Sequence, residues 1–538
     1  MTLTSALDGA ASLPLLASQL TVDTAVGERA RIHPDRVALV QVAQGEQGEQ
    51  REQRITYAEL QARVHRLCHA LQRLGVQRQD RIAVLSENRL EYVETLLAAA
   101  ALGAIVACQN WRQSESELGH CLRLVEPRLV LTSERQLARL APIEHGAERV
   151  LSFGGEYERL LAMESDAPFD SRSQPEDILI ILYTSGTTGF PKGAAISHRA
   201  EIGRANVAIA DGQLHPGRGT ITWSPLYHIG GTDPTLGVLM NGDTVFVVDG
   251  FQPTLLLEIM SREVLGNVTL MPAAIGRVIE ELHRTGLRPK SLKICGAMAD
   301  LVPRHQIAEV TTLLNAEFRN TFGSTETGGP PASRHVIAVG VLPDNLSKMQ
   351  SSWSRVRLVD EQDQDVPDGT PGEVLFRGPT LFSGYWNAPE VNAEDFRGGW
   401  FHMGDLMVRH ADGTLDFVDR RKYLIKSGGE NIYPAEIERF LLGSRRIADA
   451  AIVRKADAHW GEVPVAFVVK ADESLTAQDV LALCRGQIAN YKLPKEVHFI
   501  TEAEMPRSET SKIKRFELEA RLKAMASTAL PPTGDIHS

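Results

Sequence analysis

The segment that decides the fold reads ILIILYTSGTTGFPKG over residues 178–193. The apolar run Ile178–Leu182 predicts a buried strand, and the glycine and hydroxyl residues that follow predict a loop. Glycine lets backbone N–H groups surround an anion, hydroxyls donate further hydrogen bonds, and lysine adds positive charge. The segment therefore predicts a polyphosphate-binding loop, whose candidate residues are Thr184, Ser185, Gly186, Thr187, Thr188, Gly189 and Lys192.

This loop differs from the Walker A loop of kinases and P-loop ATPases. That loop places lysine directly after its last glycine, whereas Phe190 and Pro191 separate Gly189 from Lys192 here. A flexible surface loop is the alternative for any stretch rich in serine, threonine and glycine. The apolar strand before it and the Pro-Lys-Gly after it favour phosphate binding.

Upstream of this segment, helical patterns alternate with short apolar strands. Thr56 and Glu59 have the spacing of a capping box and begin a helix. A strand at Ile82–Leu85, a helical pattern over residues 90–103 and a strand near Ile105–Cys108 follow in turn. This alternation predicts an α/β fold with a largely parallel sheet.

Other segments indicate loops and further domains. The polar run QGEQGEQREQ over residues 44–53 predicts an exposed loop. Short strands at Val356–Val359 and Gly372–Phe376 predict a small β subdomain. From about residue 420 the chain is expected to form a separate compact unit. Its expected elements are a helix at Pro434–Leu442, strands at Ala450–Val453, Val465–Val469 and Val497–Ile500, and a helix that begins after Thr476.

Composition narrows the class of protein. A chain of 538 residues is too long for one core, so two or more domains are expected. A formal net charge of −11 argues against nucleic acid or an anionic membrane as the main partner. No secretory signal is visible at the N-terminus, and the longest apolar run, Leu96–Cys108, is shorter than the roughly 18 residues of a membrane span. The cysteines are far apart and odd in number, which predicts reduced thiols in a cytoplasmic protein.

Further motifs resemble those of the adenylate-forming (ANL) superfamily, which includes acyl- and aryl-CoA synthetases, firefly-type luciferases and peptide-synthetase adenylation domains. The motifs occur in the family's order across nearly the whole chain: Tyr183–Gly193, Pro225–His228, Phe322–Glu326, Trp400–Asp405, Asp419–Tyr433 and Pro506–Arg515. The resemblance implies a large N-terminal domain (residues 1–419) of two doubly wound sheets plus a small β-barrel-like subdomain. A small, mobile α+β domain (residues 420–538) would follow a hinge near Lys422.

The resemblance also implies roles for the residues of these motifs. Lys512 would be the catalytic lysine, which bridges the carboxylate and the α-phosphate. Glu326 would hold Mg²⁺, a cation that prefers carboxylate oxygen, and Thr325 would bind the α-phosphate. His228 would gate the acyl pocket. The remaining residues expected to bind ATP or AMP are Gly296, Ala297, Phe322, Gly323, Asp405 and Arg420.

A solvated lysine is the alternative for Lys512, and a helix cap is the alternative for the Ser-Thr-Glu stretch that contains Glu326.

The C-terminal unit is expected to rotate about Lys422 between adenylation and thioester formation. The residues expected to contact CoA are Lys426, Ser427, Gly428, Gly429, Glu430, Trp460 and Tyr491. For the two aromatic residues, core packing is the alternative. Two positions depart from the family pattern: Tyr423, where many relatives carry Asp, and Ser511, which replaces a glycine.

The resemblance implies an ATP-dependent carboxylate–CoA ligase, with ATP, Mg²⁺ and coenzyme A required. Acid and ATP would give acyl-AMP and pyrophosphate, and CoA would then give acyl-CoA and AMP. The pocket segments near Tyr227–Thr232, Gly296–Ala299 and Thr327–Pro331 contain neither Arg nor Lys. They favour a fatty (medium-chain, long-chain or branched) or aromatic monocarboxylic acid.

Three alternatives to the ligase stay open: an acyl-AMP ligase that loads a carrier protein, a luciferase-like oxygenase, and a nucleotide sensor without turnover. A homodimer also stays open.

Overall fold

The computed structural model describes residues 19–44, 50–184, 190–300, 302–428, 430–507 and 513–528. Within these residues, parallel strands and helices alternate through the first part of the chain, and antiparallel strands dominate after residue 350. The predicted α/β fold with a smaller C-terminal unit is confirmed. The helices are Val22–Ile32, Tyr57–Arg73, Leu90–Leu102, Glu115–Val125, Leu137–Leu140, Gly155–Ala162, His198–Ala210, Ile229–Asn241, Pro253–Arg262, Pro272–Thr285, Arg304–Leu314, Pro389–Asp395, Pro434–Leu441, Ala477–Cys484 and Arg515–Thr528.

The phosphate-loop segment belongs to a sheet that we call the seven-stranded sheet. In spatial order its described strands are Gly384–Tyr385, Lys192–Ser197, Ile178–Thr184, Ile105–Gln109, Arg81–Leu85, Leu129–Thr132 and Arg149–Ser152. The five strands from Ile178–Thr184 onward are parallel, and the first two are added antiparallel. Parallel strands of this kind are buried on both faces, which explains why Ile178–Leu182 is continuously apolar.

A second large sheet, the eight-stranded sheet, is also mostly parallel. In spatial order its described strands are Val336–Ile337, Glu317–Arg319, Ser291–Gly296, Val264–Thr269, Gly219–Thr222, Val245–Val248, Val37–Gln44 and Gln50–Thr56. The helix Leu90–Leu102 contacts strands of both sheets and is buried on every side. This position explains why its sequence is apolar all round rather than amphipathic.

Two antiparallel sheets follow. The four-stranded sheet consists of Arg355–Val359, Gly372–Arg377, Phe401–Arg409 and Leu415–Arg420. Over the described residues its outer strands do not pair with each other, so the predicted barrel-like subdomain is an open sheet rather than a closed barrel. The C-terminal sheet consists of Glu430–Ile432, Ile425–Ser427, Gly461–Lys470, Ile447–Asp457 and, beside Gly461–Lys470, Glu496–Phe499.

Local signals in the sequence located most elements correctly. Thr56 accepts a hydrogen bond from the Glu59 amide, and the Glu59 carboxylate accepts one from the Thr56 amide, so the predicted capping box is confirmed. Thr476 and Asp479 form the same arrangement at the helix Ala477–Cys484.

The loop predicted over residues 44–53 is wrong in part. Gln44 and Gln50–Gln53 are strand residues, because Val37–Gln44 and Gln50–Thr56 pair as antiparallel neighbours. Gln50–Thr56 is the edge strand of the eight-stranded sheet. A polar edge strand exposes little apolar surface and resists pairing with other chains, so its composition resembles that of a loop. Residues 45–49 of the predicted loop lie outside the described residues.

All five cysteines are buried free thiols, as predicted. The search for a helix long and apolar enough to cross a membrane found none among the described residues.

Candidate functional site

The predicted phosphate loop connects two antiparallel strands of the seven-stranded sheet. Ile178–Thr184 pairs with Lys192–Ser197, and Thr184 lies directly opposite Lys192. The predicted phosphate-binding residues between them, Ser185–Gly189, lie outside the described part of the chain. The strand pairing therefore places Thr184 and Lys192 side by side at the base of the loop.

Lys192 contacts a tyrosine that the sequence analysis missed. Its ammonium lies 3.9 Å from the centre of the Tyr385 ring and 3.6 Å from the carboxylate of Asp395. The Tyr385 hydroxyl donates a 2.7 Å hydrogen bond to Oε1 of Glu326. Tyr385 reaches this position because its strand pairs with Lys192–Ser197, where it lies opposite Ala194. The structure thus brings the phosphate-loop lysine and the predicted metal-binding glutamate to one place.

The protonation state of Tyr385 follows from its burial and from the charge beside it. Burial raises the pKa of the Tyr385 hydroxyl well above its usual value, and the neighbouring Glu326 carboxylate raises it further. Tyr385 is therefore a neutral donor at physiological pH, and Glu326 is the acceptor. Since the hydroxyl occupies Oε1 of Glu326, the other carboxylate oxygen can serve a cation.

Thr325 and Glu326 lie in a tight turn between the short paired strands Gly323–Ser324 and Gly328–Pro331. The helix-cap alternative for this stretch is therefore wrong. The Thr325 carbonyl accepts a 2.9 Å hydrogen bond from Arg204, and the Glu326 carbonyl accepts a 2.8 Å bond from the Phe382 amide.

Within this hairpin, a Cβ atom on Gly323 would lie 2.0 Å from the Gly328 carbonyl oxygen, so only glycine fits there.

Asp405 and Arg420 are cross-strand partners in the four-stranded sheet. Arg420 Nε lies 3.0 Å from Oδ1 of Asp405, whose side chain is only 3% exposed. The Asp405 carboxylate raises the pKa of Arg420, burial opposes this rise, and Glu326 adds to it. Arg420 therefore interacts electrostatically with both Asp405 and the predicted metal-binding glutamate, Glu326.

Three of the residues predicted to bind ATP or AMP, namely Phe322, Gly296 and Ala297, are buried. Phe322 is 4% exposed and its ring centre lies 5.5 Å from that of Phe417. Gly296 has φ of 138°, and a Cβ atom there would lie 2.4 Å from the carbonyl oxygen of Arg319 on the neighbouring strand. Strand packing alone therefore requires glycine at 296. The next residue, Ala297, is also buried and its carbonyl accepts a hydrogen bond from the Thr321 amide.

His228 caps the helix Ile229–Asn241. Its Nδ1 accepts a 3.1 Å hydrogen bond from the Gly230 amide, and its side chain is partly exposed. The loop before it is held by Asn88, whose Oδ1 accepts from the Leu226 amide at 2.8 Å. Asn88 was missed by the sequence analysis, because it acts across a contact between distant segments.

The residues predicted to contact CoA cluster around one short hairpin. The Gly428 amide donates a 2.8 Å hydrogen bond to the Trp460 carbonyl, and Ser427 pairs with Gly461. Trp460 and Tyr491 are 47% and 38% exposed, so core packing is excluded for both rings. Lys426 and Glu430 are also exposed, whereas Gly429 lies outside the described residues.

Lys422, the predicted hinge residue, lies in the single 3₁₀ turn Arg421–Tyr423. The Tyr423 ring lies 5.0 Å from the Lys422 ammonium and 4.6 Å from the Arg515 guanidinium. Arg515 in turn binds Glu438 at 2.6 Å. Lys512 and Ser511 lie outside the described residues. Arg515, which follows them in the chain, is held by its contacts with Tyr423 and Glu438.

Comparison with known proteins gives a consistent result. Residues 26–386 match the family described as AMP-binding enzyme, and residues 436–512 match the AMP-binding enzyme C-terminal domain. An indoleacetate–CoA ligase of Aromatoleum aromaticum is 36% identical over 86% of this chain and 92% of its own length. A feruloyl-CoA synthase of Amycolatopsis is 32% identical over 87% and 94%. The ATP-bound structure of MatB from Rhodopseudomonas palustris is 26% identical with a TM-score of 0.80, covering 94% of this chain and 100% of that chain.

Proposed function

Because the chain belongs to the AMP-binding enzyme family, we propose that it is an ATP-dependent carboxylate–CoA ligase. A carboxylate oxygen attacks the α-phosphate of ATP, the bond to the β-phosphate breaks, and pyrophosphate leaves. The CoA sulfur then attacks the acyl carbon of the acyl-adenylate, AMP leaves, and the thiol proton is released. The relatives named above are CoA ligases or synthases, which supports this assignment.

The observation that carries the proposal is that Tyr385 contacts both Lys192 and Glu326, and that Arg420 interacts electrostatically with Glu326. Adenylation brings an anionic carboxylate against an anionic phosphate, so a site for it needs fixed cations and a metal ligand in one place. Lys192 and Arg420 supply positive charge from two different sheets. We assign Thr184 and Lys192 to the phosphates, Asp405 and Arg420 to the ribose side, and Lys512 to the transferring carboxylate.

Magnesium fits the residues that are present. Mg²⁺ bound with ATP usually takes only one or two protein carboxylates and several water or phosphate oxygens. Glu326 provides such an oxygen, and no larger group of metal-binding side chains occurs among the described residues. A magnesium ion there would neutralise charge on the departing pyrophosphate.

For the acid, we propose an aromatic monocarboxylate. Two cations, Arg204 and Lys348, lie close to the segments expected to line the acid pocket. Arg204 pairs with Asp233 at 3.2 Å, and Lys348 pairs with Asp300 at 2.5 Å. Both cations are buried within these pairs, with side chains 3% and 0% exposed, so neither suits a second substrate carboxylate. The aromatic acids in the names of the two relatives support the aromatic class over the fatty class.

We place the domain boundary at residue 420 and the hinge at Lys422. This choice is supported by the C-terminal sheet, whose described strands pair only with one another. The exposed rings of Trp460, beside Gly428, and of Tyr491 support CoA as the acceptor, because aromatic rings suit an adenine base. The reduced thiols support a cytoplasmic location. A homodimer remains compatible with the proposal.

The test is pyrophosphate release with Mg·ATP across indole-3-acetate, ferulate, benzoate and octanoate, each with and without CoA. Release that needs both an acid and CoA, together with a thioester product, is expected. Acid-dependent exchange without a CoA thioester would instead indicate a carrier-protein acceptor. No response to any acid, with ATP bound normally, would contradict the ligase assignment for these acid classes.

A further inference from the structure

Arg204 is a buried arginine that no predicted motif contains. Its side chain is 3% exposed, and it lies on the helix His198–Ala210, which directly follows the strand of Lys192. Each of its three side-chain nitrogens contacts an oxygen atom of the protein. Nη2 donates to the Thr325 carbonyl at 2.9 Å, Nε donates to the Thr380 carbonyl at 3.2 Å, and Nη1 lies 3.2 Å from Asp233.

The turn that contains Thr325 and Glu326 packs against the Arg204 side chain. A Cβ atom on Gly328 would lie 2.8 Å from Cγ and 3.0 Å from Nε of Arg204, and Gly328 has φ of 76°. Glycine at this position is therefore required both by the backbone and by the arginine beneath it. Among the described residues, the Thr325 carbonyl receives its side-chain hydrogen bond from Arg204.

Two acidic side chains lie beside the Arg204 guanidinium and orient it. Asp233 lies on the helix that His228 caps, and Glu201 lies on the helix of Arg204 itself, 3.4 Å from Nη1. Two carboxyl groups that share a single buried arginine favour a state in which one of them is protonated. Burial, together with the neighbouring Asp233, raises the pKa of Glu201 to about 8. The ion pair of Arg204 with Asp233 links the helix Ile229–Asn241, which contains part of the expected acid-pocket lining, to the Thr325–Glu326 turn.

We infer that Arg204 is a positioning residue for adenylation. It holds the Thr325 carbonyl so that the Thr325 hydroxyl and the Glu326 carboxylate keep their places beside the phosphates and Mg²⁺. It makes this contact through the turn and does not itself touch ATP. The inference rests on the proposed function, since it assigns a supporting role in the first half-reaction of that ligase.

The chain offers a matched control on the same helix. Arg199 also donates to carbonyls of the same loop, at 2.7 Å to Pro379 and 3.3 Å to Leu381, and pairs with Glu176 at 2.9 Å. Among the described residues, its hydrogen bonds go to Glu176, Pro379 and Leu381 rather than to the Thr325–Glu326 turn. Arg199→Lys therefore reproduces the loss of a guanidinium without disturbing the proposed phosphate site.

The experiment compares Arg204→Lys, Arg199→Lys and wild type in two half-reactions, using the panel acid with the highest turnover and its synthetic acyl-adenylate. Lysine keeps the charge but cannot reach all the acceptors. For Arg204→Lys we expect kcat/KM of acid-dependent ATP–pyrophosphate exchange to fall about tenfold to a hundredfold, with a raised KM for Mg·ATP. Thioester formation from the added adenylate should fall less than about threefold, and Arg199→Lys should match wild type in both.

Equal losses in both half-reactions of Arg204→Lys would overturn the inference, because they would indicate a general structural role. Unchanged exchange would overturn it as well. If Arg204→Lys does not fold, Asp233→Asn keeps the arginine but removes the ion pair that ties it to the helix Ile229–Asn241, and the same selective loss is expected at smaller size. Wild-type inactivity with every acid would count against the ligase proposal itself, whereas selective results in an active enzyme concern Arg204 alone.

Discussion

Replacing Tyr385 by phenylalanine removes one hydroxyl from the proposed site and leaves the ring over Lys192. The lost contact is the 2.7 Å hydrogen bond to Oε1 of Glu326. Tyr385 is 7% exposed, so water cannot readily replace the donor. A hydrogen bond to a charged group contributes about 1.5–3 kcal/mol. If all of this stabilisation acts through Glu326 in the transition state, kcat/KM for adenylation falls about tenfold to a hundredfold.

The assay is acid-dependent ATP–pyrophosphate exchange, titrated with magnesium at fixed ATP. We expect Tyr385→Phe to require more magnesium, because Glu326 loses the bond that orients it. Thioester formation from a supplied acyl-adenylate should stay close to wild type, since pyrophosphate and its metal have left by then.

Tyr157→Phe is a matched control for this prediction. Its hydroxyl also donates a 2.7 Å bond to a buried glutamate, Glu94, and its ring is 1% exposed. Glu94 is held by Arg63 rather than by any residue of the proposed site. Tyr157→Phe should lower the melting temperature but not the magnesium dependence. If both variants change exchange equally, or if Tyr385→Phe leaves it unchanged, the reasoning that Tyr385 orients Glu326 is refuted.

Three further predictions concern other parts of the chain. Lys512→Ala should abolish pyrophosphate exchange while ATP binding measured by calorimetry changes little, because the lysine acts mainly in the transition state; near-normal exchange would remove it from the mechanism. Tyr423→Leu should slow adenylation and Tyr423→Phe should not, because only the first loses the ring 4.6 Å from Arg515, a contact of about 0.5–2 kcal/mol; equal rates would show that this ring is dispensable. Burial and Asp233 raise the pKa of Glu201 from 4.5 to about 8. Its contribution to the free energy of unfolding is therefore complete below the pKa of the unfolded state. That contribution is lost as pH rises through about 8, by up to about 1.4 kcal/mol per pH unit. Glu201→Gln, which cannot ionise, should therefore show a flatter melting temperature between about pH 5 and about pH 9, and a slope equal to that of wild type would contradict this.

Segments whose structure depends on near neighbours were predictable from the sequence. The capping boxes at Thr56 and Thr476 are confirmed because each uses hydrogen bonds between residues three positions apart. The buried strand Ile178–Thr184 is confirmed because a strand covered on both faces must be apolar throughout. The family motifs likewise located Glu326, Asp405 and Arg420, which the structure places near one another.

Contacts between distant segments were decided only by the tertiary structure. Tyr385 reaches Glu326 through strand pairing, and Arg204 reaches Thr325 through the packing of a helix against a turn. Neither contact produces a recognisable spacing in the sequence, because its two partners lie 59 and 121 positions apart along the chain. Gln50–Gln53 was predicted as a loop for a different reason, its polar composition, although its partner strand Val37–Gln44 is near in the sequence. The backbone of the strand Gln50–Thr56 is hydrogen-bonded to Val37–Gln44, and its polar side chains reflect only its position at the edge of the sheet. The sequence by itself thus determined the family and the kinds of side chain at the site, while long-range packing decided which of them meet.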